Sequence, residues 1–533
     1  MSATDPRRWL RDARRAMARL PSLRMTRIPD APALPVRDPW PGDAVRGARL
    51  LKGELELGGA VRALRQGAWS EGPAAPLLLA AAHSFTWLRD LRALGTDAAR
   101  LRARALVNDW MSTGTGDPMA QRPDVAGARI AAWLGHYDFF FAAADDIFRQ
   151  RLMSRLVGDA RSLSAALPAE ELDARALTAL KGLIAAAVAL PEHAAFLARA
   201  LRFLPQEVSR QILPDGCHAE RSPAAQLAAL QDLTEIRALL QAAQAQPPPS
   251  LAGAIERMAP ALRLLRHGDG GLALFNGSKE ESSTLVELVL TQAGRGGRGP
   301  SSLVDGGFHR LAAGRSALIV DCGAPPPPGI DRYAHAGTLA MEMSVGRDRL
   351  IVNCGAFPAG PSEWRDATRA TAAHSTLVIA DTNSSELKPD GLGRRPSTVE
   401  VQRQEANGAH WLEASHDGWK KPFGAVHRRR LYVAESGEDI RGEDLVEAPT
   451  PQPFTLRFHL HPAVHVNLQQ DGEAVLLRLP SAGGWRLRAD GARMTLEESV
   501  YLGGPEPRRT EQVVLTGYPD GPQQVKWAIS KVK

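Results

Sequence analysis

The stretch His335–Gly355, HAGTLAMEMSVGRDRLIVNCG, decides how the second half of this chain is read. Along a strand, successive side chains alternate between faces. His335, Gly337, Leu339, Met341 and Met343 therefore fall on one side, and Ala336, Thr338, Ala340 and Glu342 on the other. Both sides carry apolar residues, so both are expected to be covered. Gly346-Arg347-Asp348 supplies a turn, and Leu350-Ile351-Val352 leads back to Asn353. The reading is a hairpin with Tyr333 and His335 curling off its open end.

Working outward, the same period of two recurs in STLVELVL (283–290), SALIVDCG (316–323), STLVIAD (375–381), HWLEASHDG (410–418), RRRLYVAE (428–435), FTLRFHLHP (454–462), AVLLRLP (474–480), GWRLRAD (484–490) and EQVVLTG (511–517). Short segments punctuated by Gly, Pro, Asp and Asn predict a large antiparallel β-sandwich over 273–533. Upstream, the spacing is helical. In His83–Gly95 (HSFTWLRDLRALG), Trp87, Leu91 and Leu94 recur at i, i+4 and i+7 before a glycine break. Residues 126–158, 174–204 and 224–244 repeat that amphipathic pattern, rich in alanine where helices must approach closely. Residues 46–272 are thus expected to form paired helices in a bundle, solenoid or toroid, preceded by a basic arm over 1–45.

A chain of 533 residues exceeds one ordinary core, and 23% charged with 44% hydrophobic residues is the balance of a folded protein rather than a disordered one. The net charge of +6 favours encounter with anions but constrains function little. Three scattered cysteines (Cys217, Cys322, Cys354) make neither a disulfide framework nor a zinc-binding CxxC pair, and read as buried thiols in a reducing compartment. Neither a secretory leader nor an apolar run of about 18 residues is seen, so the expectation is a cytoplasmic chain without a transmembrane segment. No nucleic-acid partner is expected, and homo-oligomerisation is left open.

Several polar groups are candidates for chemistry. His374 immediately precedes a strand, with Arg365 and Arg369 upstream, which puts a second imidazole and two guanidiniums near the rim that holds His335. In Asp215–Gln226 (DGCHAERSPAAQ), His218, Glu220 and Arg221 precede Ser222-Pro223, an N-cap followed by proline at N1; helix start and reactive group are both open readings. Arg129, Trp133 and His136 share one helix face, suited either to sugar stacking and carboxylate contact or to a core.

The ordered motifs FNG, DCG, HAGTLAMEMS, LIVNCG, RATAAHSTLVIAD, HDGW, VHRRRLYV and RFHLHP, with DPWPGD, FTWLRDLRA and DGCHAERSPAAQ upstream, resemble the heparinase II/III-like family over nearly the whole chain. The resemblance implies a multidomain α+β protein, an N-terminal α/α toroid followed by a C-terminal antiparallel β-sandwich. It also implies a polysaccharide lyase that cleaves an acidic, uronate-containing glycan by β-elimination, and a periplasmic alternative for location. Such a reaction needs a base for the C5 proton, an acid for the leaving oxygen and a neutralising group for the carboxylate. Carried over, Tyr333 stands where the family's first, catalytic histidine lies, His335 matches the second, and Gly337 replaces an aspartate. Tyr333, His335 and His374 then become the catalytic candidates, with His218 and Arg369 for carboxylate neutralisation. Arg129, Trp133, His136, Glu220, Arg221 and Arg365 become candidates for substrate contact. The family's metal pattern falls on His335, Asn353 and His374, with an amide in place of the aspartate, so zinc is the one cofactor implied. The family's toroid tyrosine is replaced in the Ala224-Ala225 region. That departure keeps a second reading alive, a non-catalytic glycan-binding or envelope-assembly protein on a lyase scaffold. A glycoside hydrolase ranks below both, because no pair of carboxylates suits it.

Overall fold

The computed structural model describes residues 28–532 apart from 72–74, 142–143, 169–172, 191–193, 295–298, 470–471 and 519–520; most of the expected basic arm, residues 1–27, lies outside the described residues. The chain divides into two compact units, Met1–Gln211 with Ala228–Ile255, and Ile212–Leu227 with Glu256–Lys533. The segment holding His218, Glu220 and Arg221 therefore clusters with the sheets, although the expected cut near 272 assigns it to the helical part.

The first unit is built of helices, including Asp97–Thr113, Pro123–Gly135, Asp146–Ala166, Arg175–Ala189 and Ala194–Gln211. Side-chain caps start them: Thr96 accepts from the Ala99 N–H and Asp145 from that of Phe148. Gly95, at φ +63°, ends Leu88–Leu94 where the sequence marks a break. Helix Pro123–Gly135 crosses Arg175–Ala189 with backbones in contact, because a Cβ on Gly182 would lie 2.2 Å from the Gly127 Cα. A small hairpin, Glu54–Leu57 with Ala60–Ala63, interrupts the stretch read as helical; its four-residue strands are too short to show a period.

In the second unit the described residues form an eight-stranded antiparallel sheet and a nine-stranded one. Neighbour to neighbour, the first runs Val399–Ala406, Ala409–Trp419, Ala425–Val433, Asp439–Glu447, Gln524–Lys531, Gly483–Asp490, Ala474–Leu479, His465–Gln469. The second runs Ala492–Tyr501, Arg508–Gly517, Phe454–Leu460, Asp348–Val352, Met341–Val345, Ser316–Asp321, Phe308–Ala313, Ser302–Leu303, with Leu377–Ile379 paired to Phe454–Leu460. Inward residues of both sheets, among them Met343, Ile351, Leu412, Leu431, Phe458 and Trp527, make one apolar core. The opening hairpin is present, and all of Met341–Val345 is buried, as two covered faces require. Alternation starts only at Met341, however; before it the backbone is irregular, with Leu339 at φ +63°. STLVELVL is also not a strand. It lies in helix Ser283–Ala293, capped by Ser282, with Val286, Val289, Leu290 and Ala293 buried at i, i+3, i+4 and i+7. Cap and helical spacing override its β-branched composition.

A polar tie crosses the sandwich interior. Arg429 and Asp444, both fully buried, pair at 2.7 Å; Asp444 also accepts from His427 Nε2 at 2.7 Å and Trp527 Nε1 at 2.9 Å. Arg429 Nη1 donates across to the carbonyls of Leu339 (2.7 Å) and Ser375 (3.1 Å). Burial raises the carboxyl pKa of Asp444, but Arg429 and His427 outweigh it and hold the group well below the ordinary range. Removing one partner of such a pair strands the other in apolar surroundings. Arg429→Met is thus expected to lower the unfolding free energy by about 3–5 kcal/mol in urea titration, and Arg429→Met with Asp444→Leu to recover much of the loss. Arg430→Met, one residue away on the exposed face, is expected to cost under about 1 kcal/mol.

Candidate functional site

The rim of the sheet-bearing unit is organised around two imidazoles. His335 and His374 are 5% and 2% exposed, and His335 Nδ1 lies 2.9 Å from His374 Nε2. The surrounding bonds assign both tautomers. The Ala370 carbonyl, 2.8 Å from His374 Nδ1, can only accept, so that nitrogen carries the proton and Nε2 is bare. His335 Nδ1–H then donates to it. The other His335 nitrogen, Nε2, is left as the acceptor for the Gly277 N–H at 3.0 Å. Every ring nitrogen of the pair is used within the protein.

Asn276-Gly277-Ser278 is the hub that gathers distant segments. The Asn276 amide accepts from the His335 N–H at 3.0 Å and donates to the Arg221 carbonyl at 2.8 Å. Ser278 Oγ lies 3.1 Å from Ser222 Oγ and accepts from the Ala224 N–H at 2.9 Å. Tyr333, half-buried, packs over Gly277, where an added Cβ would sit 3.1 Å from its own. Tyr333, His335, His374 and the start of helix Pro223–Ala242 are thereby brought together. Ser222 accepts from the Ala225 N–H at 3.4 Å, so the cap reading is correct.

The expected cations are committed elsewhere. Arg369 donates to the carbonyls of Ala334 (3.0 Å), Lys388 (2.8 Å) and Gly391 (2.6 Å), and so pins the loop that carries Tyr333 and His335. Arg221 binds the carbonyls of Gly306 (2.7 Å) and Ala324 (2.9 Å) and pairs with the Asp321 carboxylate. Both side chains, expected to serve carboxylate neutralisation and substrate contact, are buried and engaged in these ties. His218 is buried, with Nδ1 accepting from the Glu220 N–H at 3.2 Å, and Glu220 is buried beside it. Arg365 pairs with its neighbour Asp366 at 3.3 Å on a surface helix.

Arg129, Trp133 and His136, the residues expected to contact a sugar, lie in the helical unit and are all buried. Arg129 is paired with Asp159 at 2.9 Å, donates to the carbonyls of His83 and Ala120, and stacks 4.2 Å above Trp110. Trp133 meets Trp110 and Phe85 edge-on, and His136 Nδ1 donates to the Ala132 carbonyl at 2.9 Å.

Residues 127–294 match the description Heparinase II/III N-terminus, and residues 295–528 match Heparinase II/III-like, C-terminal. FtsZ-localized protein C of Caulobacter vibrioides is 30% identical over 520 residues, covering 93% of this chain and 89% of the relative. The chain belongs to the heparinase II/III-like family. Among solved structures it is similar to heparinase III, with a TM-score of 0.76 at 15% identity over 98% of this chain and 89% of that one. Heparan sulfate lyase HepC of Pedobacter heparinus gives 0.59 at 15% identity over 98% and 88%. Chondroitin AC lyase of Streptomyces coelicolor gives 0.55 at 10% over 91% and 78%. At these identities the likeness is one of fold, the helical toroid followed by the antiparallel sandwich.

Against the heparinase II/III-like pattern, the departures interlock. A Cβ on Gly337 would lie 2.7 Å from His374 Cδ2, so the His374 ring fills the space that the family's aspartate would need. Asn353, fully buried, accepts from the Ser375 N–H at 3.0 Å and donates to Glu342 at 3.1 Å, two roles that a carboxylate cannot combine. Zinc needs a free lone pair on each ligand, yet the bare nitrogens of His335 and His374 are both engaged and Asn353 offers only a neutral amide oxygen; this donor set does not fit the metal. Among the described residues, no group of three or more His, Cys, Asp or Glu is arranged to hold one. Asn276, within the FNG motif, and Ser278 beside it are site residues absent from the sequence-based expectations; the signal available for them is an Asn-Gly step beside a serine.

Burial pulls His374 down to about 4, and burial with the nearby His374 and Arg369 keeps His335 well below the ordinary imidazole value. For a base held neutral by folding, the stability is complete above the unfolded value of about 6.5 and is lost as pH falls toward the folded one. His374 alone accounts for about 3 kcal/mol of this loss. Unfolding free energy is therefore expected to drop steeply from about pH 6.5 to about pH 4, and less steeply in His374→Gln, by chemical denaturation at each pH. Asn353→Asp, which sets a carboxylate against buried Glu342, is expected to cost roughly 3 kcal/mol without gain of zinc in metal analysis.

Proposed function

We propose that this chain is a non-lytic member of the family, a protein that binds an acidic glycan of the cell envelope within an assembly rather than cleaving it. The observation that carries the reading is the closed hydrogen-bond system at the rim. β-Elimination requires a basic lone pair facing the sugar and a cation or strong donor facing its carboxylate. His335 and His374 spend their lone pairs on the Gly277 N–H and on each other, and Arg369 and Arg221 spend their donors on backbone carbonyls and Asp321. The Ala224-Ala225 region supplies no phenol. The structural neighbours, a heparan sulfate lyase and a chondroitin lyase, support an acidic glycan as the ligand class. The name FtsZ-localized protein C supports an assembly role.

One observation favours a second reading. Tyr333 is half-buried beside Gly277, and a single phenol serving as both base and acid would restore a lyase. Ultraviolet absorbance of the unsaturated product separates the two. Purified protein incubated with heparan sulfate, chondroitin sulfate or a polyuronate is expected to give no absorbance increase while retaining glycan binding in calorimetry. An increase that disappears in Tyr333→Phe would overturn the non-lytic reading.

A further inference from the structure

The outer face of the eight-stranded sheet carries an arrangement that the rim does not use. Strand register places Trp411 opposite Tyr432, Tyr432 opposite Arg441, Arg441 opposite Ala528 and Ala528 opposite Arg488. Their sequence neighbours Leu412, Leu431, Ile440, Ile529 and Leu487 point into the core, so this row faces outward across five strands. Four inter-strand steps of about 4.8 Å make it about 19 Å long. The row floors a groove of about 1040 Å³ whose walls carry both Lys526 and Lys531 and the carboxylates of Glu438, Asp439, Glu443 and Asp490, with Lys531 paired to Glu438.

Its chemistry is graded along its length. Trp411, 41% exposed, stands 5.2 Å from the Tyr432 ring centroid. At the far end Arg488 and Lys526 are exposed and make no ion pair among the described residues, whereas Arg430 and Arg441 are paired with Glu413 and Asp439. An aromatic cross-strand pair stabilises a sheet by itself, but that role calls for neither a concave setting nor unpaired cations beyond it. Trp411, Tyr432, Arg441, Ala528 and Arg488 belong to strands whose backbone groups are already paired on both sides, so a peptide would find no edge to extend. A sugar chain needs no edge. Its C–H faces lie on aromatic rings, and its anionic groups take charge-assisted bonds from guanidinium and ammonium.

We infer that this groove binds an acidic oligosaccharide, with Trp411 and Tyr432 stacking sugar rings and Arg488 and Lys526 receiving its carboxylate or sulfate groups. The inference rests on the glycan-binding reading and places that binding on the sheet's outer face, away from His335 and His374. The test is calorimetric titration of the full chain with heparan sulfate oligosaccharides and, separately, with a non-sulfated polyuronate; the two arms distinguish sulfate from carboxylate as the recognised anion. Trp411→Ala and the double variant Arg488→Gln with Lys526→Gln are each expected to weaken binding at least about tenfold. Trp411→Phe, which keeps a ring, is expected to retain most of the affinity, and Arg151→Gln on the helical unit all of it. Equal melting temperatures of Trp411→Ala and Trp411→Phe show that the loss is one of contact and not of folding. If the parent binds and the groove variants bind equally well, the groove assignment is wrong while the glycan reading stands. Should the parent bind neither polymer, both fail.

Discussion

The Arg429–Asp444 pair inside the sandwich is the constraint on which the rim depends. A guanidinium and a carboxylate with no solvent exposure are tolerable only if their remaining hydrogen-bonding capacity is met, and here it is met partly by the carbonyls of Leu339 and Ser375. Those carbonyls belong to the irregular turn after His335 and to the residue after His374. The path continues outward. The Leu339 N–H donates to the Asp321 carbonyl at 2.8 Å, the Asp321 side chain pairs with Arg221, and the Arg221 carbonyl receives Asn276, which holds the His335 backbone. Core electrostatics and imidazole placement are thus one hydrogen-bonded system.

Arginine serves structure here more than it serves ligands. Arg129, Arg221, Arg369 and Arg429 are all buried, and each donates to at least two backbone carbonyls. A planar fork of five donors can satisfy several irregular segments at once, which a point-like ammonium cannot. This explains why the excess of Lys+Arg (65) over Asp+Glu (59) says little about a partner. Exposed and unpaired cations are the informative ones, and Arg488 and Lys526 stand far from the histidines in sequence.

The departures from the lyase pattern form a consistent set. Glycine at 337 admits the His374 ring, the Asn353 amide both donates and accepts where a carboxylate only accepts, and alanines follow the Ser222 cap where the family has a phenol. Together they accompany a rim in which the ring nitrogens of His335 and His374 and the Asn353 amide are engaged within the protein. The family's scaffold is retained, and these positions are committed to internal contacts.

Periodicity and punctuation in the sequence determined the two classes of structure, the breaks at Gly95 and Gly346, the cap at Ser222, and, through long motifs, the family. These are local properties, set by which side chains share a face and which residues can turn the backbone. They failed where a segment was short or where two periods overlapped, as at Glu54–Ala63 and at Ser283–Leu290, whose helix is settled by its Ser282 cap. Tertiary structure alone decided what the polar residues do. Nothing near Arg369 in sequence says that three carbonyls from residues 334, 388 and 391 will surround its guanidinium, or that Trp411, Tyr432, Arg441 and Arg488 will align across strands. A side chain's role is fixed by which distant donors and acceptors reach it and by whether water does, and both are set by chain packing rather than by local spacing.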